Sequence, residues 1–412
     1  MKISVFVDLD GYTLSAGHLL AESKRGRLTS AFAYDNGYLS NPQSYPIDPA
    51  LPLTQGAWPS ASALPRAIRD TAPDRWGRNL INRRVAAEAL AAGQPIRTLT
   101  ELDYLLGVSD ASRQGALRFK RADSGSFEYP GDDVPKLVAL PTLVNAAHAV
   151  AVDAIHAEAA VKMLLELGSA SLGGARPKAS VRDGEHMMIA KFARPQDDWR
   201  VMAWEKTVLD LAQATGIATP ERRLLVVNGS DVLLVNRFDR SPDGRRTGYI
   251  SAMTLCEADD GDRRDYLDMA ERLAAVSAAP QADLEQLWRR VALGIAINNV
   301  DDHLRNHGLI RVRSGWRLSP VFDINPDPEA NAQHATSIGG AVTVGEAAQA
   351  LVRSSAAFGL SDGQAVAILQ DVIRVVREWR AVATRNGVHP SEQEGFAPIF
   401  ERGVTVLNDA MS

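Results

Sequence analysis

Asp301, Asn306 and Asp323 are the residues of this chain whose types and spacing could do chemistry. The first two lie in Asn298-Asn299-Val300-Asp301-Asp302-His303-Leu304-Arg305-Asn306, and the third in Phe322-Asp323, after a short strand-turn-strand pattern. A carboxylate at 301 can orient and deprotonate an attacking hydroxyl. The amide oxygen of Asn306 and the second carboxylate are hard oxygen ligands of the kind Mg²⁺ prefers. Base, amide, second carboxylate is also the order in which ATP-dependent kinases present these groups, so the chemistry expected is phosphoryl transfer. Asp302 is a rival base; the five-residue spacing to Asn306 favours Asp301 and leaves His303 for hydrogen bonding to a nucleotide or to the fold. A zinc reading of His303 and His307 is disfavoured, because a loop-like stretch with no third ligand does not fix two imidazoles on a metal.

Upstream stand the parts a nucleotide site needs. Ser169-Ala170-Ser171-Leu172-Gly173-Gly174-Ala175-Arg176-Pro177-Lys178 is a small-residue loop where backbone N–H groups can approach phosphates without Cβ obstruction. It is neither a Walker pattern nor a dinucleotide fingerprint, and by itself it reads equally as a turn. Lys191 falls inside a strand pattern, where an ammonium needs a carboxylate or phosphate unless the strand is a solvated edge. Glu205, on the next helix, is placed like a carboxylate that would orient such a lysine. Asn236-Arg237-Phe238-Asp239-Arg240 ends a hairpin where a base-reading hinge would begin; charged residues there are otherwise simply solvated.

These residues need elements to hold them. Ile3 to Val7 reads as a strand, and Phe32 to Tyr34 as a strand running into a tight turn at Asp35-Asn36-Gly37. Ala67 to Leu90 is helical in pattern, and the polar stretch Asp123 to Pro135 marks a boundary or exposed loop. Val152 to Leu167 has the helical period and stops at Gly168. Ala179 to Phe192 reads as a hairpin around Asp183-Gly184, Val201 to Ala214 as an amphipathic helix, and Leu224 to Phe238 as a second hairpin around Asn228-Gly229. Helices dominate beyond residue 241: Tyr266 to Ala278, Leu284 to Asn298 with Asp283 as N-cap, Gln364 to Ala383 and Phe396 to Leu407. One hairpin, Leu309 to Val312 and Trp316 to Val321 around Ser314-Gly315, interrupts them.

Composition sets the limits. With 412 residues, 45% of them hydrophobic and 23% charged, the chain suits two or three packed units of an ordinary soluble protein. A net charge of −5 argues against a surface that binds DNA on its own. The single cysteine, Cys256, excludes an internal disulfide and a cysteine-based zinc cluster, and as a lone Cys it reads as a small buried hydrophobe rather than a nucleophile. The run from Met1 is broken by Asp8, too early for a signal peptide, and no stretch reaches the length of a membrane span, so a cytoplasmic protein is expected.

With those motifs in view the chain resembles the HipA family of bacterial serine/threonine kinases, the toxins of type II toxin–antitoxin systems. Ser171 to Lys178 is similar to the family's phosphate loop, Ile189-Ala190-Lys191-Phe192 to its lysine strand, and Asp301 to Asn306 to its catalytic loop. Asp74-Arg75-Trp76-Gly77-Arg78 is similar to a motif of its N-terminal subdomain. The resemblance implies an α+β, two-lobed kinase-like fold: an extra subdomain over 1–130, a β-rich N-lobe over 145–240 and a helical C-lobe over 241–412. It implies Asp301 as proton acceptor and Asn306 and Asp323 as Mg²⁺ ligands. ATP would be held by Gly173, Gly174, Ala175, Arg176, Pro177, Lys178 and Lys191, with Asn236, Arg237 and Phe238 at the adenine hinge and His303 nearby. It further implies autophosphorylation at Ser171, with Ser169 as rival acceptor, expelling the loop and silencing the enzyme. The implied partners are a small helix-turn-helix antitoxin, operator DNA reached only through it, and a protein substrate of the translation machinery. Asn236 departs from the acidic residue expected there, which bears on base preference. Two other functions fit the same residues: a small-molecule kinase, and a degenerate kinase kept as an antitoxin-binding co-repressor, against which the filled catalytic positions speak.

Overall fold

The structure, a computed structural model, describes residues 1–24, 27–122, 124–128, 134–152, 157–166 and 176–412. The chain folds as two compact units, Met1–Asp197 with Leu225–Ile250, and Asp198–Leu224 with Ser251–Ser412.

In the first unit, β1 (Lys2–Leu9), β2 (Tyr12–Lys24), β3 (Arg27–Tyr34), β4 (Ala57–Pro59) and β5 (Leu117–Arg121) form one sheet in the order β4-β3-β2-β1-β5. Alternation puts Ile3, Val5, Val7, Leu19, Phe32 and Phe119 in its core. Asp35 does not open a hairpin: its extended backbone starts the single helical turn α1 (Asn36–Leu39). The helical stretch after residue 65 is broken at Pro73 into α2 (Arg66–Arg69) and α3 (Arg75–Ala91), and α4 (Glu101–Leu106) begins with a capping box of Thr100 and Asp103. The helix expected from Val152 instead starts at Glu158, as α6 (Glu158–Glu166). Val152 ends a separate helix, α5 (Leu140–Ala151), whose start is signalled by Pro141.

The second sheet of this unit carries the expected hairpins, β6 (Lys178–Asp183) with β7 (His186–Phe192), and β8 (Arg222–Val227) with β9 (Ser230–Asn236), in the order β6-β7-β9-β8. One face is apolar: Ala179, Val181, Met188, Ala190, Phe192, Val232 and Leu234 pack on Leu80 and Ile81 of α3, Leu143 and Ala147 of α5, and Val161 and Leu164 of α6. Period-two alternation therefore sends Lys178, Ser180, Ile189, Lys191 and Leu233 to the opposite face.

The second unit is helical apart from one hairpin. It contains α7 (Val201–Ala214), α8 (Ala252–Leu255) after the short β10 (Tyr249–Ser251), of which only Ser251 belongs to this unit, α9 (Tyr266–Val276), α10 (Pro280–Ala296), the hairpin β11 (Gly308–Val312) and β12 (Gly315–Leu318), then α11 (Val344–Arg353), α12 (Asp362–Val376), α13 (Trp379–Arg385) and α14 (Pro390–Ala410). Trp204 of α7 packs with Trp379, Phe396 and Phe400, and its Nε1 donates to Glu392 at 2.7 Å. Asp283 is not the cap of α10. The helix starts one turn earlier because Pro280 supplies a first turn that needs no N–H, and the Asp283 carboxylate accepts from Ser277 at 2.5 Å and Arg317 at 3.0 Å. Cys256 is buried, which pushes its thiol up to about 11. Among the described residues no helix is long and apolar enough to cross a membrane.

The last residue of α10 meets α14 at a glycine. A Cβ on Gly403 would lie 2.2 Å from the Ala296 carbonyl oxygen and 2.6 Å from its carbon, so only a bare backbone lets α14 sit against the helix end that leads to Asp301. Gly403→Ala is therefore expected to destabilise the protein by about 1–3 kcal/mol through overpacking, measured by urea denaturation. Parent-like stability would show that the two helices are not held at this distance.

Candidate active site

Beyond α10 the chain reverses at Asn298, whose φ of +57° is left-handed, a conformation asparagine tolerates better than most residues. Its Nδ2 donates to the carbonyls of Asp327 at 2.7 Å and Glu329 at 3.1 Å, fastening that loop beside the turn. From Val300 to Leu304 burial then alternates: Val300, Asp302 and Leu304 point inward, and Asp301 and His303 are exposed. The Asp301 carbonyl accepts from the His303 N–H at 2.9 Å and from Asn306 Nδ2 at 3.0 Å. The Asn306 oxygen is thereby turned away from that bond, as a metal ligand requires.

Asp302 is committed elsewhere. It is buried, and its carboxylate accepts from the Tyr266 hydroxyl and faces His307 Nε2 at 3.1 Å, while its carbonyl accepts from Thr336 at 2.6 Å. Burial alone would raise this carboxyl, yet the His307 imidazole and the Tyr266 hydroxyl hold it below its ordinary value. Asp301 moves the other way. Partial burial raises its carboxyl, and the nearby Asp323, Asp302 and Asp327 add to the rise against an opposing His303. Asp323 itself sits at φ +55°, in the left-handed region that few residues besides glycine, asparagine and aspartate enter, and backbone strain of this kind collects at functional sites.

The structure thus brings together Asp301, Asn306 and Asp323, with Asp327 as an unforeseen neighbour. Among the described residues no three His, Cys, Asp or Glu side chains converge as a metal cluster. Mg²⁺ in a nucleotide site takes one or two carboxylates and fills its shell with phosphate oxygens and water. The oxygens of Asn306 and Asp323, beside carboxylates that repel one another, fit that requirement. His303 and His307 do not form a pair, since one is exposed and the other buried against Asp302.

In the first unit, Lys191 is on an interior strand and only 7% exposed, so the solvated-edge alternative does not describe it. It stands directly opposite Lys178, itself 4% exposed, in the β6–β7 ladder, so both side chains leave the same face. Like charges placed so are destabilising unless anionic charge is shared between them. Pro177 gives its carbonyl to the Phe192 N–H at 3.0 Å, and Arg176 donates to both oxygens of Asp197 at 2.8 Å. Ser169, Ser171, Gly173, Gly174 and Ala175 lie outside the described residues. Asn236 ends β9 opposite Met188, the Arg237 N–H donates to the Met187 carbonyl at 2.9 Å, and the Phe238 ring packs 6.2 Å from that of Tyr249. The Arg237 side chain is not solvated; it is buried against Asp239. Glu205 is buried on α7, in the second unit. Tyr266 and Thr336, which with the nearby His307 hold Asp302, carry no local sequence signal because they lie 36 and 34 residues away in the chain.

Residues 170–379 match the model of the HipA-like C-terminal domain, and residues 10–104 that of the HipA N-terminal domain. A Sinorhizobium fredii protein named "Putative kinase Y4mE" is 25% identical over 348 residues, covering 76% of this chain and 77% of that one. The structure of the Shewanella oneidensis MR-1 toxin–antitoxin system HipA, HipB and operator DNA complex superposes with a TM-score of 0.64 at 14% identity, over 99% of this chain and 97% of that one. At that identity the likeness is one of fold, and the α+β kinase-like fold expected from the sequence is the fold found. The Helicobacter pylori proinflammatory kinase CtkA matches with a TM-score of 0.46 at 12% identity, over 58% of this chain and 93% of that one.

Asp302→Asn is expected to lower stability near pH 7 by about 1–3 kcal/mol, the usual cost of leaving buried hydrogen-bonding groups poorly matched. A depressed carboxyl contributes stability above the unfolded value, ~3.9, and loses it as pH falls through the folded value. Urea titrations should show a parent–variant gap that is wide at neutral pH and narrows below about pH 4. A gap that does not change with pH would show that the Asp302 charge plays no part.

Proposed function

The chain belongs to the HipA family, and from that membership we propose an ATP- and Mg²⁺-dependent kinase that phosphorylates serine or threonine of a protein. The observation that carries the proposal is the catalytic turn: an outward carboxylate with raised basicity, an asparagine tied to its carbonyl, and a strained aspartate close enough to perturb it. Asp301 would align the acceptor hydroxyl and take its proton, and a carboxyl raised above its ordinary value is the better base for that step. Asn306 and Asp323 would hold Mg²⁺, which supplies charge neutralisation along the triphosphate when bound. Lys178 and Lys191 would neutralise phosphate oxygens from the polar face of their sheet, with loop residues 173–177 offering backbone N–H groups. Asn236 to Phe238 would read the adenine edge through backbone, with His303 available to the nucleotide.

In this reading the chain is a cytoplasmic toxin whose substrate belongs to the translation machinery. A small helix-turn-helix antitoxin would restrain it and link it to operator DNA, as the HipB and operator complex of the Shewanella HipA suggests. Phosphorylation of Ser171 would place about −1.5 to −2 charges in the loop that must accept ATP, opposing nucleotide binding.

Asp301→Asn should cut Mg²⁺-dependent phosphate transfer to a protein acceptor by about 10²–10⁴-fold while the protein stays folded, since an exposed side chain is exchanged for an isostere. Near-parental transfer by the variant would remove the base assignment. Lys191→Ala should cost about 10²–10³-fold in turnover, read with radiolabelled ATP; unchanged turnover would make the lysine structural. Mass spectrometry of protein produced with ATP should find phosphate on Ser171, absent from Asp301→Asn, and Ser171→Asp should be inactive. Phosphate on Ser169 alone, or an active Ser171→Asp protein, would refute self-silencing.

A further inference from the structure

The first unit holds a buried ionic cluster that the catalytic reading does not use. Asp239 accepts from Arg237 Nε at 2.8 Å and Nη2 at 2.6 Å, from Arg240 Nη1 at 3.0 Å and from the Gly115 N–H at 2.7 Å. Both guanidiniums then reach past it into the backbone of residues 112–115. Arg237 donates to the carbonyls of Ser112 at 2.6 Å and Arg113 at 3.2 Å, and Arg240 donates to those of Gly115 at 3.1 Å and Arg113. A second layer follows: Arg246 donates to the Asp110 carbonyl at 2.6 Å and lies 3.4 Å from Asp8, and Arg118 donates to Asp110 at 2.7 Å. Residues 237–246, which continue directly from β9, are thereby fastened to β1 and to the loop before β5, whose Asp110 also holds Arg118 of β5, by directional charge contacts.

Such an arrangement is costly as a source of stability, since each buried ion loses several kcal/mol of solvation that its partners must offset. What it does supply is geometry. A carboxylate gripped by a guanidinium through two nitrogens fixes both groups in plane, and here the same guanidinium is bonded to named carbonyls of a second segment. The backbone that inherits this geometry is Asn236 to Phe238. We infer that Asp239 is a positioning residue for the nucleotide base, locking the backbone of Asn236 to Phe238 onto the Ser112–Gly115 loop so that base selectivity depends on the N-terminal strands. The inference rests on the kinase reading above.

The single variant Asp239→Asn would leave two buried guanidiniums without their counter-ion and could fail to fold. The double variant Asp239→Asn/Arg240→Gln removes one charge of each sign. Arg240→Lys keeps the charge and loses the planar fork. Arg78→Gln/Glu101→Gln, at a paired site of 2.7 and 2.6 Å elsewhere in the same unit, is the matched control. Calorimetric titration of the full chain with non-hydrolysable ATP and GTP analogues, alongside kcat at saturating ATP, gives the readout. The double variant should bind the ATP analogue about tenfold more weakly and shift the parent's ATP-to-GTP affinity ratio, with kcat changed by less than about threefold. Arg240→Lys should shift the ratio in the same direction, and the control should leave it unchanged. Parental affinity and ratio in both Arg240 variants, or an equal shift in the control, would overturn the inference. A parent chain that binds neither analogue would overturn the kinase reading and this inference with it.

Discussion

The buried carboxylate of Asp302 is the contact on which the turn from Asn298 to Asn306 depends. A carboxylate can be taken out of water only if its oxygens are met by donors, and Tyr266 and His307 meet them from two separate elements. Burial alternates from Val300 to Leu304, so Asp302 turns inward while its neighbours Asp301 and His303 stay exposed. The same commitment places the Asp301 carbonyl where Asn306 can bond to it. One inward charge thus accompanies the outward Asp301 carboxylate and the neighbouring amide, and the Thr336 bond to the Asp302 carbonyl ties a third segment to the same point.

Charge governs the first unit as well, on the opposite logic. Its four-stranded sheet gives one face to an apolar core, and the remaining face carries Lys178 and Lys191 side by side. Both ammonium groups are buried in one cross-strand pair, and like charges so placed require nearby anionic charge. The segment after β9 is instead held by an internally compensated cluster in which Asp239 lies between Arg237 and Arg240, and the two arginines keep its carboxyl far below the ordinary range despite full burial.

Much of this was legible because it is local. Asn228-Gly229 and Asp183-Gly184 announced hairpins whose turns need left-handed residues; Asn228, Gly229 and Gly184 are left-handed here, while Asp183 closes β6 opposite His186. The helix Val201–Ala214 followed from its apolar period alone, and the base-to-asparagine spacing pointed to a turn that does bring Asp301 and Asn306 together. What was not legible depends on distant partners. Asp283 has the sequence context of a cap, yet Pro280 sets the helix start and Arg317 claims the carboxylate. Arg237 and Arg240 read as a solvated strand end because their partners at 112–115 lie more than a hundred residues away. The role of Asp302 was hidden for the same reason: Tyr266 is 36 residues distant, and no period or spacing connects them.

We propose that Asn306 and Asp323 hold Mg²⁺ beside Asp301. A crystal structure of the chain with Mg²⁺ and a non-hydrolysable ATP analogue tests it most directly. The account predicts one cation about 2.0–2.1 Å from both the Asn306 amide oxygen and an Asp323 carboxylate oxygen, with the triphosphate on Lys191 and Asp301 left free of the metal. A cation bound through Asp301 instead, or a nucleotide seated away from Lys191, would contradict it.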